Sequence, residues 1–164
     1  MIDYKFCPIC GSDLITASIG GKERRKCASE NCIYVFWDNP LPVVAAIIEY
    51  EGKALLARNA EWPEKIFALI TGFLEKDETP EEAVKREVKE ELGLDTSDLN
   101  YIGLYTFKEK NQIIIAYYLE CTGSIILNDE IAETKIIPFE KLKPWPFGTG
   151  PAVCDVLIKK GIIV

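Results

Sequence analysis

Residues 72–94, GFLEKDETPEEAVKREVKEELGL, constrain the fold more than any other stretch of the chain. Thr79 is placed to cap a helix, Pro80 to open it, and Glu82 to close a capping box onto Thr79. Gly93 sits where a helix ends. Between these signals Val84, Val88 and Leu92 recur every fourth residue, so the helix carries an apolar stripe that has to be buried. At about 100° per residue, Glu87, Glu90 and Glu91 fall together on a neighbouring face, with small Ala83 leaving room beside them. Like charges at this spacing destabilise a helix. Either solvent tolerates them or a cation sits among them. Three carboxylates with no cation between them offer hard oxygen donors of the kind that suit Mg2+ or Mn2+, ions that also bridge to phosphates. Arg86 is read as pointing off this face, its planar fork suited to holding Glu87 or Glu78.

The flanking sequence supplies a sheet for the stripe. Residues 43–50, VVAAIIEY, form an apolar, β-branched run, and Glu51–Gly52 turns it back into 53–58, KALLAR, as a hairpin. A third strand is expected over 66–71, IFALIT. A long hairpin joins 101–108 to 113–121 across EKNQ, and a last strand covers 133–139. Residues 151–161, PAVCDVLIKKG, read as an amphipathic helix ending at Gly161. This is an α+β pattern, a mixed sheet with helices packed on it.

The first 38 residues differ from the rest. They hold four of the six cysteines, and their Lys and Arg balance their Asp and Glu, so the whole net charge of -7 lies beyond Asp38. WDNPLP then reads as a linker, giving domains at 1–38 and 39–164. Cys7-x2-Cys10 and Cys27-x4-Cys32 are two short-spaced pairs around a loop, the way zinc ribbons are built. Structural Zn2+ is the reading, since so short a segment cannot bury an adequate core. Disulfides or buried free thiols are the alternative. Cys121 and Cys154 lie in apolar patterns and read as core thiols. GGKERRK is expected as the hairpin tip of the ribbon. Its basic residues, with Tyr34, Phe36 and Trp37, raise nucleic-acid binding. The favoured reading makes the tip a solvated turn and uses the aromatics to pack the ribbon on its neighbour.

Bulk properties narrow the function. Net charge of -7 argues against broad capture of nucleic acid or an anionic membrane, and no apolar run is long enough to span a bilayer. With no secretory h-region at the N-terminus, a cytoplasmic location is expected. The chain has no histidine, so acid–base work falls to carboxylates, Lys, Tyr or Cys.

Gly72, Glu78, Arg86-Glu87-Val88, Glu90-Glu91 and Gly93-Leu94, at these spacings, resemble the Nudix box with its defining positions filled. A four-cysteine ribbon followed by NPLPVVAAIIEYEGKALLAR and the box is similar to the zinc-ribbon Nudix hydrolases, a group that includes NADH, FAD and ADP-ribose pyrophosphatases. The resemblance implies a Nudix α/β/α sandwich with a mixed sheet, preceded by a small four-cysteine zinc ribbon. It implies hydrolysis of a nucleoside diphosphate linked to another moiety, a small-molecule nucleotide substrate, and Mg2+ or Mn2+ at the site. In its terms Glu90 and Glu91 are the main divalent ligands, and Glu87 is a further ligand or the base for water. The Gly72 carbonyl adds a contact, while Glu78 and Arg86 support and orient. The segment 128–133, NDEIAE, resembles the one that supplies another carboxylate, with Glu133 ahead of Glu130. Many relatives are homodimers.

The chain departs from the pattern in two places. Thr71 stands where many boxes have a second glycine. KPWPFG, 143–148, lies near the C-terminus rather than close behind the box where NADH pyrophosphatases carry a similar array, so NADH specificity is not transferred. Phe73, Trp145 and Phe147 are candidates to stack on a base, with core or rim packing as the alternative for the last two. Two other readings stay open: a house-cleaning nucleoside triphosphate pyrophosphatase, and a nucleotide-sensing regulator with a nucleic-acid-binding ribbon.

Overall fold

The computed structural model describes residues 4–163, so the first three residues of the expected ribbon and the last residue of the second domain lie outside it. Its backbone divides into two compact units between Asn39 and Pro40. Among the described residues no helix is long and apolar enough to cross a membrane.

The first unit is a three-stranded antiparallel sheet in sequential order, built from β1 (Leu14–Ile19), β2 (Lys22–Cys27) and β3 (Val35–Phe36). Gly20 and Gly21 alone make the β1–β2 turn, both at positive φ (60° and 76°) as a two-residue turn of this hand requires. KERRK is therefore not a hairpin tip but the body of β2, paired residue by residue with β1. The reason is register: once the turn closes on two glycines, Lys22 already faces Ile19. The aromatics find partners inside this unit. Tyr34 packs against Cys7, Leu14 and Cys27, Phe36 meets Tyr4 at 5.2 Å between ring centroids, and Arg24 lies over the Trp37 ring at 4.7 Å.

The second unit is organised by β4 (Leu41–Tyr50). Beside it run β5 (Lys53–Asn59) and β6 (Ile70–Phe73), both antiparallel to β4 along one edge. Against the other edge lies β8 (Gln112–Thr122), parallel to it. The order β7-β8-β4-β5-β9 is completed by β7 (Asp95–Phe107) and β9 (Ile131–Ile137) at the edges. Helix α1 (Pro80–Leu92) covers one face and α2 (Gly150–Lys159) the other. Alternation along β4 does the sorting. Val44, Ala46 and Ile48 join Val84, Val88 and Leu92 under α1, while Ala45 and Ile47 join Val153 and Leu157 under α2. A strand buried on both faces reads as the continuous apolar run seen in the sequence. This is the mixed α+β sheet with a helix on each face that the sequence implied.

Boundaries shift for local reasons. The strand expected over 66–71 begins at Ile70, because residues after β5 turn at Asn59–Trp62 and Pro63–Ile66. Ahead of Ile70 only an isolated bridge, Ala57 with Ala68, extends it. β7 starts at Asp95, six residues earlier than expected. DTSDLN is polar and turn-like in composition, but it lies on an edge with register breaks at Thr96–Asp98 and Tyr101–Gly103, where no apolar alternation is needed. β9 stops at Ile137, before Pro138, which has no N–H for the ladder, and Phe139 enters a 3-10 turn. Gly161 lies beyond the end of α2 at Lys159.

Cys121 is buried as expected, but Cys154 is only half-buried. On α2 the inward residues are Ala152, Val153, Val156 and Leu157, and position 154 is rotated about 100° from Val153. Burial also pushes the Cys121 thiol up to about 11. Timed alkylation of the native protein at pH 8, read by peptide mass spectrometry, should therefore label Cys154 well before Cys121. Equal rates would contradict this packing.

Candidate functional site

Helix α1 forms where the sequence places it. The Thr79 side chain accepts from the Glu82 backbone N–H at 3.2 Å, and the Glu82 carboxylate accepts from the Thr79 N–H at 2.8 Å. Gly93, at φ 70°, returns its N–H to Lys89. With both ends fixed and Val84, Val88 and Leu92 buried, the rotation of the helix is set. The carboxylates then grade from solvent to interior. The Glu90 side chain is 57% exposed, Glu87 14%, and Glu91 as a whole residue 9%.

Arg86 is the cation at this face. Its Nη2 and Nε hold the two Glu78 oxygens at 2.8 and 3.1 Å, and its Nη1 donates to Glu87 at 2.7 Å and Glu90 at 3.2 Å. A further bond from Nη2 reaches the Phe73 carbonyl at 3.2 Å, tying the loop before the helix to it. The sequence reading placed this side chain off the carboxylate face. Its length instead lets the guanidinium bridge Glu78 and two of the three clustered carboxylates. Glu78 also accepts from the Glu75 N–H at 2.6 Å, and the Arg86 hydrogen bond holds its carboxyl below the usual range.

Glu91 has no such partner among the described contacts. Burial, then the charges of Glu87, Glu130 and Glu90, push its carboxyl up to about 7. Burial raises Glu87 as well, against the pull of Arg86. A buried carboxylate cluster that resists ionisation is what a divalent cation relieves, and oxygen donors suit a hard ion. Gly72 faces this cluster from β6. A Cβ there would lie 1.9 Å from the Glu87 carboxyl carbon, so a larger residue would have to push the Glu87 carboxylate, and with it its bond to Arg86, aside. Thr71, in the other glycine position, lines the adjoining space without such a clash.

Two cavities share part of their lining. A small one of about 90 Å³ holds Glu91 and Glu130 in its wall. A larger one of about 430 Å³ is lined by Ile66, Phe107, Trp145 and Phe147, with Lys110 and Gln112 as polar members. Trp62, Leu69 and Thr71 line both. Trp145 and Phe147 are thus brought together, whereas Phe73 is 56% exposed and is not among the residues lining either cavity. Glu133, on β9, lies opposite Arg58 of β5 and is ion-paired with it at 2.8 Å, while Glu130 is the residue whose charge reaches Glu87 and Glu91. Sequence reasoning missed Trp62 and Arg58. Trp62 sits in an aperiodic loop with nothing in the sequence to mark it.

The cysteines of the first unit form a second cluster. The Sγ atoms of Cys7, Cys10, Cys27 and Cys32 all lie within 4.8 Å of one another, with Cys7–Cys32 at 3.7 Å and Cys10–Cys27 at 3.4 Å. Zinc–sulfur bonds of about 2.3 Å in a tetrahedron set edges of about 3.8 Å. Ser12 draws the Cys10 thiol down to about 6, while burial pushes Cys27 up to about 12.

A family model for the NUDIX domain matches residues 39–155. The NAD-capped RNA hydrolase NUDT12 of Homo sapiens is 32% identical over 120 residues, which are 68% of this chain and 26% of that protein. The NAD-capped RNA hydrolase NudC of Mycobacterium tuberculosis is 34% identical over 76 residues, 46% of this chain and 24% of that protein. The chain thus spans about a quarter of the length of the curated relatives it matches. Among solved structures, a NUDIX hydrolase from Nitrosomonas europaea superposes with a TM-score of 0.69 at 25% identity, covering 85% of this chain and 80% of that one. An ADP-ribose pyrophosphatase from Streptococcus suis, at 20% identity and TM-score 0.62 over 74% of this chain and 92% of that one, shares the fold. A box helix capped at both ends, two of its three clustered carboxylates bonded by one arginine, and a family match over most of the chain converge: the chain belongs to the Nudix hydrolase family.

Proposed function

We propose that this protein hydrolyses the diphosphate bond of a nucleoside diphosphate linked to a second moiety, with NAD(H), FAD or ADP-ribose ahead of simple nucleoside triphosphates. The observation that carries the reading is the pair of cavities that share Trp62, Leu69 and Thr71 in their walls, one with Glu91 and Glu130 and the other mostly apolar and aromatic. Nudix enzymes generally need a divalent metal and act on nucleotide-containing substrates. The likeness to the human and mycobacterial relatives, hydrolases of NAD-capped RNA, favours an NAD-type diphosphate.

In this reading residues 39–164 are the hydrolase domain and residues 1–38 a zinc ribbon. Glu90 and Glu91 would hold Mg2+ or Mn2+, with the Gly72 carbonyl beside them and Glu130 as the further carboxylate. A bound ion would neutralise the diphosphate and make water a better nucleophile. Arg86 keeps Glu87 and Glu90 oriented through its bonds to both, and Glu78 anchors Arg86 from the other side. Glu87, half-held by Arg86 and raised by burial, is placed to accept the proton of the attacking water. Trp145 and Phe147 flank the base. Glu133 serves the site indirectly, through Arg58. Cys7, Cys10, Cys27 and Cys32 hold structural Zn2+, a role suited to a site with all four positions filled by protein.

A panel of ADP-ribose, NADH, FAD, diadenosine polyphosphates and nucleoside triphosphates with Mg2+ and Mn2+, products separated by chromatography, tests the reading. AMP should appear from the first three. Pyrophosphate released from a triphosphate, with none of the three cut, would move the protein to the house-cleaning class. Glu91→Gln should lower kcat/KM by about 100-fold or more, the scale of losing one charge-stabilising group.

The same substitution has a pH signature in metal-free protein. The Glu91 carboxyl is raised from the usual 4.5 to about 7, so the folded state holds a proton that the unfolded chain releases between these values. Stability is therefore greatest below about 4.5 as far as this group is concerned, and falls as pH rises to about 7. Glu91→Gln should remove that fall, leaving the variant about 3 kcal/mol more stable than wild type at pH 8. Denaturant unfolding in chelator at pH 5 and pH 8 measures it, and equal variant and wild-type stability at pH 8 would contradict the buried-charge account.

Elemental analysis of protein purified without added metal should find one zinc per chain. Cys27→Ser should lose it and expose the first unit to proteolysis while the second stays folded. Zinc-free protein with an intact ribbon would exclude the metal.

A further inference from the structure

We propose that Trp62 is a specificity-determining residue that selects diphosphates carrying a planar base, and that Arg58 holds it in place; the proposal deepens the reading above and rests on it for the catalytic side alone. Trp62 is one of three residues shared by the two cavities, and it is the only aromatic among the three. The smaller cavity also has Glu91 and Glu130 in its wall. The larger, of about 430 Å³, is within the range of small-molecule sites, and its wall is mostly apolar and aromatic. A ligand with its phosphates near the carboxylates and its base in the larger cavity would have Trp62 within reach, since that residue lines both. Leu69 is buried and Thr71 is small, so neither offers a ring face to a base. Trp62 itself is 40% exposed, an apolar ring left partly in water at the junction.

The loop that carries Trp62 is fixed rather than free. The Trp62 N–H donates to the Asn59 carbonyl at 3.0 Å, and the Ala60 N–H to the Glu130 carbonyl at 2.7 Å. Arg58, whose side chain is 15% exposed, donates through Nε to Glu133 and through Nη1 to the Trp62 carbonyl at 3.3 Å. One guanidinium thus ties β9 to the tryptophan backbone. The indole is presented from an anchored turn, so little entropy is lost when a base stacks on it. The same turn is tied through the Ala60–Glu130 bond to the segment that bears the carboxylate Glu130.

The test compares AMP with ribose 5-phosphate, which has the same sugar phosphate and no base. Binding of each to the zinc- and Mg2+-loaded protein is measured by calorimetry. Wild type should bind AMP more tightly than ribose 5-phosphate. Trp62→Leu keeps an apolar side chain but cannot stack. It should weaken AMP by about 10-fold or more, within the range for losing one base–aromatic stack, and leave ribose 5-phosphate unchanged. Trp62→Phe should restore most of the AMP affinity, which a loss of packing alone would not predict. In turnover, Trp62→Leu should raise KM for ADP-ribose with kcat little changed. Equal weakening of both ligands, or unchanged AMP binding in Trp62→Leu, overturns the proposal, as does failure of wild type to prefer AMP. If wild type prefers AMP through Trp62 yet cuts no member of the substrate panel, the catalytic reading falls and this one stands. If it cuts the panel but Trp62→Leu binds AMP normally, the reverse holds.

Discussion

The site depends on how much negative charge helix α1 can hold out of water. Five groups crowd one region: Glu78, Glu87, Glu90, Glu91 and Arg86. A single guanidinium with a rigid fork satisfies three of the carboxylates, so the helix can bury Glu87 without losing its position. Glu91 lies deeper and is left to the apolar surroundings and to the charges of Glu87, Glu130 and Glu90. The energetic tension at that residue would be released by a divalent ion, which makes cation affinity and helix stability two expressions of one balance. Gly72 belongs to the same balance. The strand can approach Glu87 so closely because nothing projects from its α-carbon.

The sheet makes the site possible by fixing the two sides independently. Because β4 is buried on both faces, α1 and α2 are each docked on their own apolar layer. The carboxylates ride on α1, while Trp145 and Phe147 arrive on the segment that leads into α2. Strand β6 lies along the same edge of β4 as β5 and carries Thr71 and Gly72 to the junction. The carboxylates and the aromatic wall therefore come from different layers, and Trp62, in the loop after β5, lines both cavities.

Much of this was legible in the residues. The α1 boundaries, its buried stripe and its carboxylate face were all written in local signals: Thr79, Pro80 and Glu82 at one end, Gly93 at the other, and valines four apart between. These signals are short-range, and the structure keeps them because the tertiary packing asks for the same thing. The cysteine cluster was equally local in spacing. What escaped was set by distant partners. DTSDLN extends because β8 pairs with it, not because of its own propensity. KERRK became a strand because two glycines were enough to turn the chain. Arg58 and Glu133 face each other and pair across a sheet register that no local pattern encodes. Cys154 was misplaced by a single rotation on α2.

The parallel pairing of β4 with β8 has a further consequence for how the chain reaches its native state. Residue Leu41 pairs with Gln112, and the register then runs in step to Tyr50 and Cys121, so the central strand waits for a partner about 70 residues downstream. At a synthesis rate of about 5–20 residues per second, β4 spends several seconds outside the ribosome with one edge open and its apolar run exposed. Closing so long a loop costs entropy before the pairing repays it, which places this step among the slow ones. In that interval β5 and β6, both antiparallel neighbours supplied from nearby sequence, can shield the opposite edge of β4. β5 can pair Ile48–Tyr50 and β6 Val43–Ala46 before β8 emerges, so one edge of β4 is covered by nearby sequence while the other waits.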